Sequence, residues 1–457
     1  MPLIRSISGL RGTIGDSLTP DVVIRYAAAF AEYCGGGTVV IGRDGRPSGS
    51  WIEELVIGAL RSCGVTAEVL GLAPTPTVQL AVEKSSATGG ISITASHNPS
   101  EWNGLKFLNA EGIFLGPDEC ARFFSSVDAG RAPLAGWKAS GGIRIATDIY
   151  ARHIDASLAL PFVNARGLNE RGFKVVVDAV NASGSHIVPQ LLERCGCEVV
   201  KLFCDGSGLF PHTPEPLPEN LGQLAAAVKE HGADLGIAVD PDADRLVLID
   251  ERGEPFGEEY TITQAAEFIL GWSRRNDPSA ELSVVVNLST TRAVDDVAER
   301  HGARVVRTPV GEINVALEMK RIGAVIGGEG SGGVILSSLH YGRDSLAGIV
   351  ITLAHLLQFG GTMSALRASL PSYEIVKRKA TLGDGVEAAA VLARIQRDGA
   401  GGARVSTADG LRLDFDRSWV HMRASNTEPI VRVIAEAPSR EEAEELADRY
   451  LSLVTAI

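Results

Sequence analysis

Cysteine is scarce in this chain. Six cysteines among 457 residues cannot staple so long a polypeptide, and Cys195-Gly196-Cys197 is one residue short of the spacing used by redox and zinc sites. All six are expected to be reduced, mostly buried thiols. Long apolar runs are also missing: Leu346 to Leu357 is too short and interrupted to span a bilayer, and Met1-Pro2-Leu3-Ile4-Arg5-Ser6 lacks the apolar segment of a signal peptide. No membrane partner and a cytoplasmic location are therefore expected. Nor is there a basic excess. With 43 Lys and Arg against 56 Asp and Glu, the formal net charge is −13. No basic stretch is dense enough for the phosphate neutralisation that nucleic acid binding needs. An anionic ligand must instead meet a local basic pocket. No low-complexity tract suggests disorder, so most of the chain should be folded.

What is present is repetition. Domains of roughly 100–150 residues would divide this length into three or four units with clefts between them. Three stretches alternate short Val/Ile-rich runs with longer amphipathic ones, the pattern of βα units around a largely parallel sheet. In the first, Thr38 to Gly42, Ala67 to Gly71 and Gly90 to Thr94 read as strands, with helices near Ser50 to Cys63 and Thr77 to Ser86. Asp128 to Gly142 reads as a surface excursion. A second unit starts at Phe173-Lys174-Val175-Val176-Val177-Asp178 and runs through Ile249; a third holds strands at Leu282 to Asn287, Ala303 to Arg307 and Gly323 to Ile326. The last stretch differs: Leu411 to Phe415, Trp419 to Arg423 and Ile430 to Ala435 read as strands before a Glu-rich helix from Ser439 to Leu453. The expected fold is three similar mixed α/β domains plus a C-terminal α+β domain around a central cleft, divided as 1–150, 151–252, 253–366 and 367–457.

Three strand ends carry chemistry. Gly90-Ile91-Ser92-Ile93 runs into Thr94-Ala95-Ser96-His97-Asn98-Pro99, a tight polar turn that presents a serine to a cleft. Leu235 to Val239 runs into Asp240-Pro241-Asp242-Ala243-Asp244-Arg245, and three carboxylates so close repel one another unless a hard cation neutralises them. Magnesium is the natural expectation. A calcium loop competes, since Glu251 falls at the twelfth position from Asp240, but Arg245 stands where that loop's sharp turn needs Gly. Ala324-Val325-Ile326 runs into the glycine-dense loop Gly327-Gly328-Glu329-Gly330-Ser331-Gly332-Gly333, whose carboxylate and hydroxyl suit sugar hydroxyls. Near the C-terminus, Arg423-Ala424-Ser425-Asn426-Thr427-Glu428-Pro429, followed by Arg432, gathers guanidinium groups and hydroxyls as a phosphate cradle. In parallel sheets, ligands bind outside the carboxyl ends of the strands, where the three loops fall. A metal beside a serine hydroxyl, with cations nearby, suits phosphoryl transfer, in which positioning and charge neutralisation do most of the catalysis.

These four loops, in this order, closely resemble the α-D-phosphohexomutase superfamily of phosphoglucomutase, phosphomannomutase and phosphoglucosamine mutase. The resemblance implies four domains, a Ser96 that carries a phosphoryl group, and one Mg2+ per chain bridging the Ser96 phosphate to Asp240, Asp242 and Asp244. It implies exchange of a hexose 6-phosphate and a hexose 1-phosphate through a hexose 1,6-bisphosphate, which also acts as activator. It carries catalytic roles to Ser96, His97, Lys106, Arg11 and Arg245, substrate binding to Glu329, Ser331, Thr308 and Gly311, and phosphate binding to Arg423, Ser425, Asn426, Thr427 and Arg432. Arg43, in Gly42-Arg43-Asp44-Gly45-Arg46, resembles a further family element and reads equally as scaffold. The implied partner is a hexose phosphate, on a monomer or homodimer.

Departures from the family pattern matter. Many bacterial members place a histidine after Ser-Gly in the sugar loop, and here Gly333 stands there. Gly330 occupies the variable position associated with sugar preference, and the loop resembles the archaeal-type branch. The alternatives are a metal-dependent sugar phosphatase, in which water accepts the phosphoryl group, and a non-catalytic sugar-phosphate-binding protein.

Overall fold

The computed structural model describes residues 3–130, 132–383, 386–424 and 430–455. Its first sheet has seven strands in the spatial order Ile4–Ser6, Gly9–Thr13, Trp102–Leu108, Gly89–Ile93, Thr38–Arg43, Thr66–Leu72 and Ile143–Ile145. The last four run parallel and the first three join antiparallel. Apolar runs such as Val39-Val40-Ile41 form the centre because helices cover both faces, leaving these residues without solvent contact.

The second and third sheets share one design. The second has the order Leu246–Asp250, Leu235–Val239, Lys174–Asp178 and Glu198–Lys201; the third has Arg304–Thr308, Ser283–Asn287, Ile326–Glu329 and Gly333–Leu336. Each consists of parallel strands with one antiparallel strand at an edge. The serine turn, the aspartate loop and the glycine loop therefore occupy equivalent places, since each connects a parallel strand to an antiparallel return. The glycine loop is a tight hairpin, with Glu329 on its first strand. That strand lies later than the sequence pattern suggests, because Gly327 lets the chain pass under Met319, whose side chain a Cβ would overlap.

The fourth sheet is antiparallel, in the order Glu374–Thr381, Ile430–Ala437, Trp419–Ala424, Leu411–Asp414 and Arg404–Ser406, backed by the helices Ala388–Asp398 and Arg440–Thr455. One apolar core runs unbroken from Ile154 through Val286 to Tyr373, so the second and third sheets are fused rather than merely in contact. A separate cluster joins Val40 and Val78 to Val285 and Met319. The helix Ser345–Phe359 is apolar nearly all round because it is buried in the large core of the second and third sheets. Among the described residues no single helix is long and apolar enough to cross a membrane.

Candidate active site

The serine turn is pinned from beneath. Ser96 adopts a φ of 52°, a left-handed conformation that costs a non-glycine residue roughly 1–3 kcal/mol and persists only where its surroundings enforce it. They do so with a buried lattice. Arg46, fully buried, pairs with Asp44 and donates to the carbonyls of Ser96 at 2.8 Å and Asn98 at 2.5 Å. Thr94 Oγ1 donates to Asp44 at 2.6 Å and accepts from the Ser96 N–H at 2.7 Å. Arg43 instead faces Glu53, so within the Gly42–Arg46 segment it is Arg46 that supports the turn.

The Ser96 hydroxyl donates to Asp240 Oδ2 at 3.0 Å and lies 3.2 Å from His97 Nδ1. Burial first, then Arg245 and Arg11, push the His97 imidazole down to about 2, so it stays neutral at physiological pH. Arg11 donates to the Asn98 side chain at 2.9 Å, beside the turn.

The three aspartates are fully buried, and one oxygen from each lies within 4.8 Å of the others. Thr75 donates to Asp242 at 2.8 Å, and Lys106 Nζ reaches Asp242 at 2.6 Å and Asp244 at 3.2 Å. Burial opposes all three charges. Asp240, repelled further by Asp244 and Asp242, is held well above the usual carboxylate range, whereas Lys106 draws Asp242 below it and Arg343 draws Asp244 below it. Asp242 Oδ1 and Asp244 Oδ1 remain buried without a hydrogen-bond partner. Orphaned carboxylate oxygens converging beside Ser96 fit a hard divalent cation. The calcium-loop alternative fails, because Glu251 turns away to accept from the Ser364 N–H at 3.0 Å and from its hydroxyl.

Arg343 supplies what the loop pattern did not announce. Its guanidinium reaches Asp244 at 2.7 Å, Glu329 at 2.7 Å and Glu312 at 3.2 Å. A Cβ at Gly333 would overlap the Arg343 side chain, so the absence of a side chain at 333 is what lets this cation span the aspartate loop and the sugar loop. Behind it, Asp344 accepts from His153 at 2.8 Å and His340 at 3.1 Å, and His153 meets Thr77 at 2.9 Å. Glu329 also accepts from Asn287 at 2.8 Å and the Gly311 N–H at 3.0 Å. The aspartate and sugar loops touch directly, since the Leu246 N–H donates to the Gly332 carbonyl at 2.9 Å.

A cleft of about 380 Å³ opens above these groups. At one end stand His97, Lys106, Arg11 and Arg245, over the buried Ser96; Glu329, Gly330, Ser331 and Gly311 line the middle, and Arg423 and Arg432 the far side. Arg423 is oriented by Asp409 at 3.0 Å, and Asp409 also accepts from the Val310 N–H at 3.0 Å. Ser425, Asn426 and Thr427 lie outside the described residues. Thr308 does not join the lining: its hydroxyl turns onto the Pro309 carbonyl at 3.1 Å. Glu259, Glu312, Asn287, Arg343 and Lys377 do line the cleft, although none of them stands out in the sequence.

Four family profiles match in sequence, described as phosphoglucomutase/phosphomannomutase α/β/α domain I over residues 4–131, domain II over 148–253, domain III over 263–373 and the C-terminal domain over 375–452. A Methanopyrus kandleri protein named probable phosphoglucosamine mutase is 34% identical over 98% of this chain and 96% of its own length. A Thermococcus kodakarensis protein named phosphoglucomutase/phosphomannomutase is 36% identical over 98% and 97%. Among solved structures, a Burkholderia thailandensis phosphoglucomutase/phosphomannomutase family protein superposes with a TM-score of 0.86 at 27% identity, over 99% of this chain and 98% of that one. Paramecium parafusin, at 16% identity and a TM-score of 0.77 over 100% and 97%, shares the fold. With profiles for all four of its domains matched in order, the chain belongs to the phosphoglucomutase/phosphomannomutase family.

Proposed function

We propose that this protein is a phosphohexomutase that interconverts hexose 6-phosphates and hexose 1-phosphates, with Ser96 as phosphoryl carrier and the chain divided near residues 150, 252 and 366. The observation that carries this reading is the strained Ser96 turn, whose hydroxyl lies 3.0 Å from a buried aspartate trio beneath a cleft with cations at both ends. The Ser96 phosphoryl group passes to the free hydroxyl of a bound hexose monophosphate: the Ser96 Oγ–P bond breaks, an O–P bond to the sugar forms, and the proton the sugar hydroxyl gives up is balanced by one taken up at Ser96 Oγ, which leaves as the free hydroxyl. The hexose 1,6-bisphosphate turns over within the cleft, and its other phosphoryl group returns to Ser96.

Asp240, Asp242 and Asp244 would hold Mg2+ together with the Ser96 phosphate. When bound, that ion supplies neutralisation of the charge on the transferring group. Arg11, Lys106 and Arg245 add positive charge at the same end, and neutral His97 holds the serine oxygen by a hydrogen bond. Glu329 and Ser331 grip sugar hydroxyls, while Arg423 and Arg432, with Ser425, Asn426 and Thr427, receive whichever phosphate is not reacting. Binding energy at that remote phosphate orients the reacting end. A second phosphate site, which holds the bisphosphate by its other end, favours return of a phosphoryl group to Ser96 over its transfer to water.

Phosphorus NMR of glucose, mannose and glucosamine 6-phosphates, with magnesium and a trace of hexose 1,6-bisphosphate, tests the reading. Bisphosphate-stimulated formation of 1-phosphates is expected. Release of inorganic phosphate instead would establish a phosphatase, and silence with all three sugars a binding protein. Ser96→Ala should abolish turnover while sugar-phosphate binding persists; retained turnover in a clean preparation sinks the phosphoserine assignment.

A further inference from the structure

Four glutamates line the cleft, and three are already engaged. Glu329 accepts from Arg343, Asn287 and the Gly311 N–H. Glu312 is held by the Arg343 N–H at 2.9 Å and by its guanidinium. Glu215 stands at the phosphoserine end, 3.9 Å from His97 and 4.0 Å from Arg245. Glu259 differs. Among the described residues its carboxylate accepts one hydrogen bond, from the Thr291 N–H at 3.0 Å, through Oε2. Among the described residues its other oxygen accepts no hydrogen bond, and Glu259 lines the cleft beside Gly330 and Ser331.

The position of this carboxyl is set by the sugar loop. A Cβ at Gly330 would overlap both Glu259 carboxyl oxygens, so Glu259 fills the space a side chain at 330 would occupy. Lys377, whose charge acts on Glu259, is committed to Glu258 at 2.7 Å. The carboxyl is thus left without a cation of its own. Burial, with Glu258 and Glu436 adding repulsion against Lys377, pushes it up to about 8, and an ammonium group beside it would restore its charge.

We infer that Glu259 is a specificity-determining residue of this cleft, recognising a ring ammonium group and so favouring amino-hexose phosphates over neutral hexose phosphates. This rests on the phosphohexomutase reading. A hydroxyl can donate to either a carboxylate or an amide oxygen, but an ammonium group distinguishes them sharply, because the charge-assisted bond is roughly twice as strong.

The test is steady-state kinetics of wild type, Glu259→Gln and the double variant Glu259→Ala/Gly330→Asp, with glucosamine 6-phosphate and glucose 6-phosphate, magnesium and glucose 1,6-bisphosphate. Glu259→Gln should lower the ratio of kcat/KM for the amino sugar over glucose by about tenfold or more, with the glucose value changing less than about threefold. The double variant returns a carboxylate to the same space from the loop, and it should recover a large part of the ratio. An unchanged ratio in Glu259→Gln, or an equal fall for both sugars, overturns the assignment. Wild-type silence with both sugars would instead overturn the phosphohexomutase reading on which it rests.

Discussion

Arg343 is the residue on which most of the site's charge balance turns. It is the shared cation of Asp244, Glu312 and Glu329, three carboxylates brought together from the aspartate loop, the start of the helix Glu312–Ile322 and the strand Ile326–Glu329. Removing one member of a buried ion pair leaves an uncompensated charge and typically costs about 3–5 kcal/mol. Arg343→Met should therefore lower the first thermal transition by on the order of 5–10 °C and sharply reduce kcat. Arg343→Lys should recover stability only in part, since an ammonium cannot fork between three acceptors as a guanidinium does. Differential scanning calorimetry of the two variants checks this; a Met variant that melts with the wild type would show the cluster to be balanced otherwise. Arg343 also marks the limit of what the sequence discloses about the site. Ser96, the aspartates and Glu329 were legible because each lies in a contiguous polar run at the end of an apolar strand. Arg343, Glu312 and Asn287 lie in runs of ordinary composition and meet only through tertiary packing. Glu259, in Gly257-Glu258-Glu259, looks like the acidic first turn of any helix. Thr308 shows the opposite failure: its motif is present, but its hydroxyl turns back onto the chain.

The hairpin is the element that builds this site, used three times to carry a functional turn between a parallel strand and its antiparallel neighbour. Two of these hairpins are stitched together at Gly332, whose carbonyl accepts from the Leu246 N–H. Gly332 has a φ of 88°, and a Cβ there would press on the Leu246 backbone, which cannot yield as a flexible side chain could. Gly332→Ala should cost about 1–3 kcal/mol from the conformation alone, and more from the displaced backbone. Because the displacement separates the aspartate and sugar loops, kcat/KM should fall together with the melting temperature. Normal turnover at reduced stability would mean the two loops act independently. The strands easiest to recognise from sequence were β-branched runs such as Val39-Val40-Ile41 and Val284-Val285-Val286. Trp102–Leu108 went unrecognised because Asn103 and Lys106 interrupt its pattern. Both are buried, Lys106 because Asp242 and Asp244 neutralise it and Asn103 because it bonds to Ser48 and the Gly104 N–H. Glu374–Thr381 was missed for a related reason: Lys377, Arg378 and Lys379 disguise the edge strand that extends the last sheet.

At the scale of the whole molecule, the fused second and third sheets form a rigid centre, and the C-terminal sheet meets it through polar contacts. The Arg292 N–H donates to Glu436 at 2.8 Å, the Val310 N–H to Asp409 at 3.0 Å, and Arg412 to the Leu288 carbonyl. His421 sits within this seam, 2.9 Å from the Ser289 hydroxyl and 2.6 Å from the Asp409 carbonyl. Burial first, then Arg412 and Arg423, lower its pKa from 6.5 to about 4 despite the opposing pull of Asp409. Between those values a freed His421 binds a proton that the docked one does not. The His421 contribution to docking is therefore whole above about pH 6.5 and shrinks as pH falls, by roughly 2 kcal/mol at pH 5. His355, buried elsewhere and also lowered to about 4, adds the same sign of acid sensitivity to the core, so a substitution at 421 is needed to isolate the seam. His421→Gln keeps polar atoms for both partners but cannot charge. Since the Arg423 cradle rides on the C-terminal sheet, loosening the seam should raise KM for the sugar phosphate more than it lowers kcat. Wild type should lose more stability between about pH 7.5 and pH 5 than His421→Gln does, by about the same 2 kcal/mol, and should show the steeper rise in KM. Matching pH profiles for the two proteins would remove His421 from the docking energetics.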